Sequence, residues 1–121
     1  MRLSQSLRIE LLSIQEYFRD VASHQNAWKE IYPHRGDIDC SEAYQLFLSI
    51  HSDNIHAHKT RLEVIMDLTD KKTEQIECLI YIIEFEKLLC KFSSKEQLLE
   101  YCRIGMNLDP NNPLFLHSPG L

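Results

Sequence analysis

Glycine and proline are scarce in this sequence, three and four of its 121 residues. They fall at Gly36, Gly105 and Gly120 and at Pro33, Pro110, Pro113 and Pro119, which leaves long stretches without strong backbone punctuation and favours helices. Long apolar runs are missing too. The most apolar stretch, 78–92, is interrupted by Glu84, Glu86, Lys87 and Lys91, short of the ~20 residues that cross a bilayer, so no membrane span is expected. Basic residues number 13 against 18 acidic ones, for a net charge of -5, and they are scattered. A phosphate backbone would find no electrostatic footprint, which argues against nucleic acid as a partner. The opening MRLSQSLRIELLSIQEYF carries Glu10 and Glu16 inside its apolar pattern and has no small-residue cleavage site. A cytoplasmic protein is therefore expected, in its own cell or, if exported by a specialised secretion system, in a host cytosol. Cysteine occurs as Cys40, Cys78, Cys90 and Cys102 with no Cys-x-x-Cys, which reads as reduced thiols in the core or at its boundary.

With 44% apolar and 26% charged residues, the composition is that of one folded domain with a single core. Leu3, Leu7, Leu11, Ile14, Phe18 and Val21 recur at steps of three and four and predict a first helix, with a continuation through Trp28 to Tyr32 before Pro33 ends it. A second helix is expected from Asp39 or Ser41 to about His51, with Ala43, Phe47 and Ile50 inward. Ser52, Asp53 and Asn54 then read as a turn, and Ile55, Leu62, Ile65, Met66 and Leu68 mark a third helix. After the charged stretch DKKTE, Ile76, Leu79, Ile80, Ile83, Leu88 and Leu89 carry a fourth. Tyr81, Ile82 and Phe85 widen its apolar surface, so it is expected at the centre of the bundle. Ser93 with Glu96, or Ser94 with Gln97, has capping-box spacing and opens a last helix through Leu98, Cys102 and Met106. The expectation is an all-α domain over residues 1–113, about five helices, followed by a tail, 114–121, anchored by Leu114 and Phe115 with a mobile end.

Two segments resemble tetratricopeptide repeats, helical hairpins that stack with a period of about 34 residues. GDIDCSEAYQLFLSIHSDN, from Gly36 to Asn54, is similar to the second half of such a repeat. EQLLEYCRIGMNLDPNNPLF, from Glu96 to Phe115, resembles the repeat ending: Gly105 stands where the family places a small residue, and Asp109-Pro110-Asn111-Asn112 matches the inter-repeat turn. The resemblance implies an array of helical hairpins, the alternative to a compact bundle, and surfaces that engage other proteins.

Residues that carry chemistry are few. There is no Gly-rich phosphate loop, Asp-rich calcium loop or supported carboxylate pair, and Glu84 with Glu86 reads as a solvated edge of the central helix. His56 and His58, two apart, point about 200° from each other on a helix and read as solvated or capping rather than as metal ligands. Arg35-Gly36-Asp37 reads as a turn. Cys40 with His34, beside Asp37 and Asp39, is the nearest approach to a nucleophile and base, and defines the alternative of a small Cys/His-dependent enzyme. The expected capacity is non-enzymatic, with no cofactor or metal: binding of another protein, as an inhibitor of a partner enzyme such as a bacterial effector or as a chaperone or adaptor. Trp28, Tyr32, Tyr44, Tyr81, Tyr101 and Phe115 are the candidate anchors, because aromatic residues dominate interface hot spots. A structural homodimer joined through the apolar surface of 76–92 is the remaining alternative.

Overall fold

The computed structural model describes residues 4–31, 36–89 and 95–117, with side chains over 4–23, 49–89 and 96–115. Among these residues the chain forms helices and no strand: α1 (Gln5–Ile31), α2 (Gly36–Leu68), α3 (Lys72–Leu89), α4 (Lys95–Leu108) and the short α5 (Pro113–His117). The all-α class follows from the sequence as expected. One division does not.

Where a turn is predicted at Ser52, Asp53 and Asn54, α2 continues unbroken for 33 residues. The reason is one of magnitude. Each of these three residues costs only about 0.5 kcal/mol relative to alanine in a helix interior, and neither Gly nor Pro is present to stop the chain. Ile55, Leu62 and Ile65 follow directly and are fully buried. Burial of each is worth about 2 kcal/mol, so keeping them on one inward stripe outweighs the local cost.

Helix α1 starts on Ser4, whose Oγ accepts from the Leu7 amide at 3.3 Å and whose carbonyl accepts from Arg8 N at 2.9 Å. Its predicted stripe turns inward: Leu11, Ile14 and Val21 are buried, with Leu7 and Phe18 packed against them. Helix α3 is the central element, in contact with α1, α2 and α4. It buries Cys78, Leu79, Ile82, Ile83, Phe85, Leu88 and Leu89, as its broad apolar surface requires. These seven residues of the apolar surface over 76–92 pack within the chain, while Ile76, Ile80 and Tyr81 on the same helix are only partly buried.

Side-chain pairs fix the directions. Glu10 meets Arg61 while Tyr17 meets His58, so α1 and α2 are antiparallel. Arg8 meets Glu77 while Phe18 meets Phe85, so α1 and α3 are parallel. The turn between α2 and α3 is held by Thr69, 3% exposed. Its Oγ1 donates to Glu74 Oε1 at 2.5 Å and accepts from Lys71 N, and its carbonyl accepts from Gln75 Nε2 at 3.1 Å.

The tail boundary also moves. After α4, Asp109 N donates to the Gly105 carbonyl at 2.8 Å, and Asn112 Oδ1 accepts from Leu114 N at 3.0 Å, capping α5, with Pro113 as its first residue. Phe115 is fully buried against Gly105. The folded part therefore extends at least through His117 and does not end at residue 113; residues 118–121, expected to be mobile, lie outside the described residues.

Candidate functional site

On α2, the spacing of His56, Lys59, Thr60 and Glu63 places four polar side chains along one stripe. Together with Glu86 of α3 and Gln97 and Tyr101 of α4 they wall an open cleft of about 560 Å³. Two of its charges are deeply set. Lys59 and Glu86 are 8% and 3% exposed, and Lys59 Nζ donates to Glu86 Oε2. The same ammonium stands 5.5 Å from the centre of the Tyr101 ring, within cation–π range. Tyr101 in turn donates its hydroxyl to Glu63 Oε1. Burial, reinforced by the Glu63 carboxylate, holds the Tyr101 phenol well above its usual range, so it is a hydrogen-bond donor at neutral pH.

Charge in the cleft is unbalanced: Lys59 contributes one positive charge against two carboxylates, Glu63 and Glu86. Each is fixed by a neighbour on a different helix, so the wall is preorganised. The expectation that Glu86 belongs to a solvated edge is corrected here. Glu84 is half-buried beside Lys87, but Glu86 is buried and ion-paired with Lys59. A smaller hollow of about 260 Å³ lies between Met66, Asp67, Gln75, Ile104 and Leu108.

The opposite face of α2 packs an aromatic cluster against α1. His58 lies 4.2 Å from Tyr17, centre to centre, and stacks at 6.2 Å over Phe85; Phe18 meets Phe85 edge-on at 5.3 Å. His58 is thus half-buried rather than solvated, and loss of water holds its pKa below the ordinary value. Burial raises that of Tyr17, whose hydroxyl has no well-formed hydrogen bond although Asn54 stands beside it.

The aromatic candidates separate. Phe115 and Tyr101 are buried and belong to the core, so neither is an exposed anchor, though Tyr101 also helps line the cleft. Tyr81 is half-buried, edge-on to Phe18 at 5.6 Å. Trp28 and Tyr44 fall on α1 and α2 with side chains outside the described residues, and Tyr32 lies outside them entirely. The same holds for His34 and the Cys40 side chain, so the Cys/His pair is not placed. Cys78 and Cys102 are buried, and burial pushes the Cys78 thiol up to about 12. Among the described residues no group of His, Cys, Asp or Glu is arranged to hold a metal ion, and no helix is long and apolar enough to cross a membrane.

The chain is thus an all-α bundle with a charged cleft between its second, third and fourth helices. Comparison with protein-family models, with curated proteins and with solved structures returns no match.

Proposed function

We propose that this chain is a protein-interaction domain that binds one partner and regulates it, with the cleft between α2, α3 and α4 as its contact surface. The observation that carries this reading is the cleft: a concavity of about 560 Å³ whose charged and aromatic walls are already held in place by cross-helix contacts. A preordered wall loses little side-chain freedom when a partner docks, which favours specific binding. The resemblance of Glu96–Phe115 to a tetratricopeptide-repeat ending supports the same class, as those hairpins engage other proteins. Inhibition of a partner enzyme and protection of an unstable client are the two forms the regulation takes.

The test is affinity purification of the tagged chain from its native cells, beside the same chain carrying Thr60→Lys at an exposed position on the cleft wall. One stoichiometric protein recovered with the wild type and lost with the variant supports the reading. A folded enzyme whose activity falls on binding identifies an inhibitor, and an otherwise insoluble client identifies a chaperone. Recovery of the chain alone, repeated in mild salt, sinks the proposal.

A further inference from the structure

The balance of donors and acceptors in the cleft specifies what it takes. An ammonium has three N–H groups, and among the described residues Glu86 is the one hydrogen-bond acceptor that Lys59 meets. With one N–H on Glu86 and the Tyr101 ring beside it, the nearly buried ammonium keeps a donor for an acceptor entering from the cleft. Glu63 is half-buried, and among the described residues its carboxylate takes a hydrogen bond from the Tyr101 hydroxyl alone, while a carboxylate offers about four acceptor positions. The cleft therefore offers donors at its floor and acceptors on its wall.

The sign of the charge decides between ligand classes. An anionic ligand on Lys59 would bring a third carboxylate or a phosphate beside Glu63 and Glu86, and like charges in a partly desolvated site repel strongly. A neutral acceptor for Lys59 with a cationic group for Glu63 satisfies both walls. That pairing is what a peptide presents at a basic residue: a backbone carbonyl, and an ammonium or guanidinium a few bonds away.

We propose that the cleft is a recognition site for a basic residue of a partner segment, its guanidinium or ammonium on Glu63 and its backbone carbonyl on Lys59. Arginine fits best, since its planar fork engages a carboxylate through two N–H groups at once. The size agrees, as about 560 Å³ falls within the range of sites that hold a small ligand or one to two side chains. The chain's net charge of -5 acts in the same direction at longer range, drawing basic segments toward it. This inference rests on the protein-binding reading and names the chemistry of the docked segment.

The test uses N-acetyl-arginine methylamide as probe and its glutamate counterpart as control, each titrated into the full chain and followed by amide nitrogen–proton correlation spectra. Saturable shifts are expected at Thr60, Glu63, Gln97 and Tyr101 with the arginine compound and none with the glutamate compound. Glu63→Gln keeps an acceptor for Tyr101 but loses the charge, and weakens the arginine titration about fivefold. Thr60→Lys adds a cation at an exposed position and does the same by repulsion, so the outcome does not depend on one variant folding. Unmoved cleft amides, equal response to the glutamate compound, or undiminished binding by both variants overturns the proposal. A partner captured equally by wild type and Glu63→Gln also overturns it, and leaves the protein-binding reading standing. Arginine binding with no captured protein supports the chemistry of the cleft and removes the partner reading instead.

Discussion

Removing Glu86 should damage this protein far more than removing Glu86 and Lys59 together. Their side chains are 4% and 10% exposed, so either charge left alone is stranded in a medium that solvates it poorly. Breaking a buried pair from one side costs about 3 to 5 kcal/mol, whereas replacing both partners by apolar residues of similar volume is near neutral. Glu86→Leu and Lys59→Met each preserve helix propensity, so the backbone contributes little. Taking the low end, each single variant loses about 3 kcal/mol, and at ~4 °C per kcal/mol for a chain of this size melts about 12 °C lower. The double variant should lie within about 1 kcal/mol of wild type, leaving a coupling of several kcal/mol. Urea unfolding followed by circular dichroism measures all four chains, with unchanged slopes confirming a common unfolded state. A double variant that loses the sum of the two singles would show that no buried charge was being compensated.

Three further outcomes follow from other parts of the fold. A Cβ built on Gly105 lies 2.5 Å from Cγ and Cε1 of Phe115. Gly105→Ala should therefore cost about 1 to 2 kcal/mol despite alanine's better helix propensity, and Phe115→Leu in the same chain should recover part of it in thermal melts. Burial between Tyr17 and Phe85 keeps the His58 pKa below its ordinary 6.5, so the unfolded chain takes up the proton first. That stability is present above about pH 6.5 and lost as pH falls through the folded-state pKa; melts between neutral and mildly acidic pH should show the loss, and His58→Phe should flatten it. With its thiol pushed up to about 12 and buried, Cys78 should resist iodoacetamide in the native chain and react only once urea unfolds it, as read by mass spectrometry of the labelled peptides.

The helical class and most of the core are legible in the sequence because apolar spacing reports them directly. Leu11, Ile14 and Val21 on α1 and Leu79, Ile83, Leu88 and Leu89 on α3 are buried where the period places them. The central position of α3 follows from its being apolar on most sides. The continuity of α2 does not show, because Ser52, Asp53 and Asn54 suit both a turn and an exposed helix surface, and the burial that decides between them is tertiary. Phe115 is recognisable as an anchor but not as the lid of Gly105, since the pair forms only once Asn112 and Pro113 turn the chain back. The cleft is the largest omission. Its signal is faint but present: Lys59 lies on the stripe of Ile55 and Leu62, and Glu86 on that of Leu79, Ile82 and Ile83. Two opposite charges, each out of place on the apolar face of adjoining helices, point to a buried ion pair. Glu63 and Tyr101 carry no such mark, because their meeting depends on how α4 lies against α2.

Because α2 is unbroken, it is a beam roughly 50 Å long. Its far half carries the cleft wall and is clamped on two sides, to α1 through Arg61 and His58 and to α3 through Lys59. A turn at Ser52–Asn54 would have been a joint, at which movement of the first half could dissipate. Without that joint, a load on the near end of α2 reaches the clamped half as leverage, and the wall presented to a partner tilts with the arm or resists it as one piece.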